Sequence, residues 1–134
     1  MQLLVIPQKI EPKERPRFSF KKGRIMTYTP KKTHNFEENL KKYFYNQGCK
    51  KENGCIEVKM QIFSSVKNKK LWGNLKETRP DLDNIIKSCL DGLNGIAWDD
   101  DAQIVKITAE KYYAPIDYCK IFYKKVVDNT EKVL

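Results

Sequence analysis

The strongest hydrophobic pattern in the chain lies between Leu82 and Leu93. Leu82, Ile85, Ile86, Cys89, Leu90 and Leu93 recur at i, i+3, i+4, i+7, i+8 and i+11, the stripe of an amphipathic helix resting on a core. Asn94-Gly95 supplies its stop. In Cys55–Phe63 the apolar residues Ile56, Val58, Met60 and Ile62 alternate with Glu57, Lys59 and Gln61, which predicts a half-buried strand. Phe36, Leu40, Tyr43 and Phe44 predict a second helix running to Gln47, with Gly48 beyond it. Thr29-Pro30 reads as its N-cap followed by proline at the first helical position. Leu3–Ile6 can open a sheet. Arg15–Phe20 and Arg24–Thr29 flank Lys21-Lys22-Gly23 as a hairpin. Gln103–Ala114 and Asp117–Val127 predict two closing strands. Residues 64–78 show no firm period and read as a mobile loop.

The resulting order, β-β-β-α-β-α-β-β, predicts an α+β fold in which two main helices pack on a mixed sheet. At 134 residues it is expected to form one domain over 1–134, burying roughly two-thirds of its unfolded surface. Cys49, Cys55, Cys89 and Cys119 form no Cys-x-x-Cys pair, and His34 stands apart from them. That argues against a zinc site and suits a reducing compartment. The first seven residues are too short for a secretory apolar region, and no run approaches the roughly 20 apolar residues of a membrane span. A soluble cytoplasmic protein with no membrane partner is expected.

Charge sharpens this picture. The net charge is +9, yet residues 1–51 hold 13 Lys and Arg against 4 Glu, whereas residues 52–134 hold 13 of each sign. The basic excess is therefore confined to the first two-fifths of the chain, which points to a polyanion partner. Arg15, Arg17, Lys21, Lys22, Arg24, Lys31 and Lys32 are the candidates for phosphate contacts.

Against that background, six carboxylates fall within residues 79–103: Asp81, Asp83, Asp91, Asp99, Asp100 and Asp101. Hard oxygen ligands in number suit Mg²⁺, with phosphate oxygens and water completing the coordination. An EF-hand is excluded because its ligand spacing and terminal Glu are missing. Asp81 and Asp83 read equally well as helix caps and macrodipole partners, and Asp83/Lys87 as an i,i+4 ion pair. Asp99-Asp100-Asp101, before a predicted strand, would be an ordinary solvated turn if it stood alone. Together the two groups predict a shared divalent site, with Lys87 beside it to stabilise charge on a phosphate. Asp91 falls on the solvent side of the helix.

Asp-Leu-Asp-Asn-Ile-Ile-Lys-Ser-Cys-Leu-Asp-Gly-Leu-Asn-Gly, followed by Asp-Asp-Ala-Gln, resembles the signature of the RusA family of Holliday junction resolvases. Arg15-Pro16-Arg17 with Tyr28-Thr29-Pro30 resembles that family's N-terminal basic segment. The resemblance implies that Asp81, Asp83 and Asp101 bind metal, that Asp100 is the neighbouring acid, and that Lys87 is the active-site lysine. Asp99 is an extra acid, which leaves the choice among 99–101 open. It further implies a homodimer that nicks four-way junction DNA symmetrically with Mg²⁺ or Mn²⁺, encoded by a phage or prophage in many relatives. Two alternatives remain: a metal nuclease acting on other branched or single-stranded DNA, and a catalytically silent DNA-binding protein whose acids only cap helices. No helix-turn-helix pattern supports a transcriptional regulator.

Overall fold

The computed structural model describes residues 1–12, 17–28 and 30–127. Its elements follow in the expected order: β1 (Gln2–Ile6), β2 (Arg17–Lys21), β3 (Arg24–Tyr28), α1 (Lys31–Asn46), β4 (Ile56–Ser65), α2 (Leu82–Leu93), β5 (Ile104–Ala114) and β6 (Tyr118–Lys125). A four-stranded sheet has the order β1-β6-β4-β5. β4 and β5 run parallel, while β6 is antiparallel to both β4 and β1. The sheet is therefore mixed. Parallel neighbours need a crossover, and α2 is that crossover.

The period-2 alternation of β4 places Ile56, Val58, Met60 and Ile62 on the helix side, all buried, with Cys119, Ile121 and Tyr123 of β6 and Leu4 and Ile6 of β1. Phe36, Leu40 and Phe44 of α1 and Ile85, Cys89 and Leu93 of α2 close over them. The helices meet closely at Gly92, where an added Cβ would collide with Leu40 Cδ1. Ser88 Oγ donates to the Glu11 carbonyl at 2.5 Å, tying the segment after β1 to α2.

Three local expectations shift. Pro30 occupies the N-cap position of α1 rather than its first helical residue, and the expected Thr29 cap lies outside the described residues. The hairpin turn is the two-residue Lys22-Gly23, since Lys21 pairs with Arg24. Both turn residues have positive φ, 51° and 74°, the backbone that matches the twist of a two-residue hairpin.

The third shift concerns residues 64–78. β4 extends to Ser65, a 3₁₀ turn spans Lys69–Leu71, and Asn68 Oδ1 caps it. Gly73 N–H donates to Tyr113 O (2.9 Å), Tyr113 N–H to Asn74 O (3.0 Å), and Lys76 N–H to Lys111 O (2.9 Å). The segment is held along the free edge of β5. It lacks periodicity because backbone hydrogen bonds, rather than a buried apolar face, fix it.

Candidate active site

The start of α2 is set by Asp81, extended at φ −66°, ψ 137°, with its carbonyl accepting from Ile85 N–H at 3.2 Å. Its side chain makes no capping hydrogen bond. Asp83 stands in the first turn, and both residues are exposed. Neither behaves as an ordinary cap. Lys87, one turn further and exposed, makes no ion pair among the described residues, so the i,i+4 pair with Asp83 is not formed.

The acid triplet divides into three jobs. Asp99 pairs with Lys51 at 2.7 Å. Asp100 caps the 3₁₀ turn Asp101–Gln103: its Oδ1 accepts from Ala102 N–H at 3.1 Å, and Gln103 Oε1 accepts from Asp100 N–H at 2.9 Å. Asp101 accepts from the indole N–H of fully buried Trp98 at 2.6 Å. Its own N–H donates to Asn94 Oδ1 at 3.0 Å. Partial burial raises the Asp101 carboxyl above its ordinary value, and the charges of Asp91 and Asp100 add to this against the Trp98 hydrogen bond. Asp91, expected to be solvated, is half-buried and lies close enough to Asp101 to act on it. Of the triplet, Asp101 is the one acid that is partly buried.

The two acidic groups do not meet within one chain. Asp81 precedes α2, whereas Asp101 is bonded to Asn94 at its other end. Twelve helical residues span about 18 Å. Among the described residues, no three His, Cys, Asp or Glu side chains come together to hold a metal. Within one chain the described residues thus leave Asp81 and Asp83 at the start of α2 and Asp100 and Asp101 beyond its end.

The basic candidates fall into two places. Lys32 shares a groove of about 410 Å³ with Lys9, Arg79, Asp81 and Asn84, and it pairs with Glu11 at 3.1 Å. Lys31 is exposed at the same helix start. Lys21, Lys22 and Arg24 are exposed at the tip of the separate β2–β3 ribbon. Its surface also exposes Phe18, Phe20, Ile25, Met26 and Tyr28. Arg15 lies outside the described residues, and of Arg17 only the backbone is described. Lys9 and Arg79, which line the groove with Asp81, and Asp91, which acts on Asp101, are not among the sequence candidates. The available signal was Asp91's position two turns after Asp83, on the same side of α2 as Lys87.

No described helix is long and apolar enough to cross a membrane. An acidic helix start opening into a basic groove, with a basic ribbon on the same chain, has the character of a nucleic-acid enzyme. Residues 7–118 match the family model described as endodeoxyribonuclease RusA, and the chain belongs to that family. It is similar to a crossover junction endodeoxyribonuclease from Lactococcus phage r1t, with 32% identity over 94 residues, which cover 67% of this chain and 70% of the relative.

Proposed function

We propose that this protein is a divalent-metal-dependent endodeoxyribonuclease that resolves four-way DNA junctions as a homodimer, by paired, symmetric nicks. The observation that carries the reading is the state of Asp81: a carboxylate at a helix start, free of any capping bond, in a groove with Lys9, Lys32 and Arg79. A carboxylate that makes no hydrogen bond or ion pair among the described residues, beside cations suited to phosphate, is what a phosphodiester hydrolase needs. A silent DNA-binding protein whose acids only cap helices has no use for it.

The donor chemistry fits Mg²⁺. The carboxylates are hard oxygen ligands, and Mg²⁺ takes only one or two of them while keeping several waters. Partial burial, with a lesser push from Asp91 and Asp100, raises the Asp101 carboxyl, and a bound cation would favour its ionised form. Asp81 and Asp83 would hold the ion from one end of α2 and Asp101 from the other, with Asp100 beside it. Bound there, Mg²⁺ (or Mn²⁺) supplies an activated water and neutralises charge on the reacting phosphate. Lys87 then stabilises negative charge developing on the phosphate. Arg79, Lys9 and Lys32 orient the backbone, and Lys21, Lys22 and Arg24 extend the phosphate track along the ribbon.

The separation of the two acidic groups favours a dimer. Two α2 helices related by a two-fold axis and packed antiparallel would set Asp81 and Asp83 of one protomer beside the partner's Asp101. Both sites are then equivalent, as an isologous pair requires. Ile107 pairs in register with buried Val58, yet it is 39% exposed on the helix side of the sheet. That apolar surface beside α2 suits a partner.

The test is cleavage of a synthetic mobile four-way junction with and without Mg²⁺, beside its separate duplex and single-stranded arms. Metal-dependent, symmetric nicks confined to the junction are expected. Equal cleavage of the arms would overturn the junction assignment in favour of a general nuclease, and no cleavage with metal would favour the silent binding protein.

A further inference from the structure

The three residues leading into Asp81 are held in an unusual way. Lys111 Nζ, on β5, donates to Thr78 O at 2.7 Å and to Pro80 O at 2.8 Å. Lys76 Nζ donates to Arg79 O at 2.8 Å and to Thr78 Oγ1 at 2.6 Å. Every carbonyl from Thr78 to Pro80 thus accepts from a lysine ammonium, and the next carbonyl, of Asp81, accepts from Ile85 N–H. The backbone is fixed atom by atom up to the first residue of the acidic pair. Lys76 is itself placed by its N–H bond to Lys111 O and lies 5.3 Å from the Tyr113 ring centre.

Inward-turned lysines on an edge strand can serve only to deter pairing with another chain. That role needs a charge at the edge and no particular acceptor. Here two ammonium groups divide three successive carbonyls between them, and the chain they grip contains no regular element of its own. Ammonium–carbonyl bonds are charge-assisted and roughly twice as strong as neutral ones. They bring positive charge up to the lead-in of a carboxylate that has no cap.

Resting on the reading of Asp81 as a metal ligand, we propose that Lys111, seconded by Lys76, is a positioning residue: it holds Thr78–Pro80 against β5 so that the Asp81 carboxylate is preset for the divalent ion. Loosening the brace lets Asp81 move and lowers metal affinity without touching the ligand itself. Outer partners that orient metal ligands typically change affinity by roughly 10- to 100-fold when removed.

The experiment is a Mn²⁺ titration of the full-length protein by electron paramagnetic resonance, comparing wild type, Lys111→Met, Lys76→Met and Asp81→Asn, with junction cleavage measured against Mg²⁺ concentration. For Lys111→Met the Mn²⁺ dissociation constant is expected to rise about tenfold. Half-maximal cleavage should need correspondingly more Mg²⁺, while the rate at saturating Mg²⁺ stays near that of wild type. Lys76→Met should shift both values in the same direction by less. If Lys111→Met does not fold, Lys111→Gln, whose shorter neutral amide cannot bridge both carbonyls, and Lys76→Met carry the test through the same metal-concentration shift. Folded variants with wild-type metal affinity, where Asp81→Asn has lost it, overturn the brace alone. Wild-type binding insensitive to Asp81→Asn overturns the ligand assignment and the brace with it.

Discussion

The placement of Asp83 and Asp101 at opposite ends of α2 makes a prediction that separates a shared site from one formed within a chain. Asp83→Asn and Asp101→Asn are each expected to abolish junction cleavage on their own. Mixed, denatured together and refolded at equal amounts, they give heterodimers as about half of all dimers, by random association of two-fold partners. In such a heterodimer one site carries both lesions. The other joins the intact Asp83 of one protomer to the partner's intact Asp101. One site in two then works in half of the dimers, so the mixture should nick at about a quarter of the wild-type rate. Each bound junction receives one cut, so nicked junctions accumulate and resolved duplexes do not. The assay is a time course with both strand pairs labelled, run on denaturing and native gels. Both variants keep side-chain volume. The Asp101→Asn amide keeps an oxygen to accept from the Trp98 indole, and Asp83 is exposed, so neither variant is expected to unfold. A mixture as inactive as its parents would refute the shared site, because a site within one chain has no intact copy in any heterodimer.

Three further outcomes follow from the described contacts. Junction affinity should fall by roughly a thousandfold or more between 50 and 200 mM salt if six or more cations of the dimer meet phosphates; replacing Lys21, Lys22 and Arg24 with Gln should flatten that slope, and an unchanged slope would remove the ribbon from the interface. The folded Asp101 carboxyl titrates above its unfolded value, so its stabilising share is present below the unfolded value and lost as pH rises through the folded one. Metal-free Asp101→Asn should therefore gain stability relative to wild type between acid and neutral pH in urea melts, and a gap independent of pH would contradict this. Gly92→Ala gains about 0.5–1 kcal/mol of helix propensity but drives a methyl into Leu40, which is fully buried; overpacking of about 1–3 kcal/mol wins, and a raised melting temperature would show that Leu40 yields freely.

The elements were legible because each is written in a local period. Alternation along Ile56–Phe63 and the stripe from Leu82 to Leu93 are short-range facts that packing merely uses. The segment 64–78 was not legible. Its order comes from Gly73, Asn74 and Lys76 bonding to the β5 edge, and backbone hydrogen bonds leave no mark in side-chain pattern. Residue types at the site were also readable: aspartates at a helix start and before a strand, cations ahead of them, and the family signature that joins them. Which acid of 99–101 is engaged elsewhere was only partly so: the Asp100–Gln103 capping box is local, whereas Lys51 reaches Asp99 from a distant segment and the Trp98 indole is held against Asp101 by its burial.

The sequence alone determined the class of fold, the polyanion partner and the identity of the acids, because composition and periodicity act over a few residues. Tertiary structure decided where those acids stand. The seven residue-to-residue steps from Asn94 to Asp101 could reach about 23 Å if extended, enough to carry Asp101 back to the start of α2. Burial of Trp98 and the bond from Asp101 to Asn94 keep it at the far end instead. Chain connectivity limits such distances and long-range contacts choose among them; that choice leaves acids at both ends of α2 rather than at one.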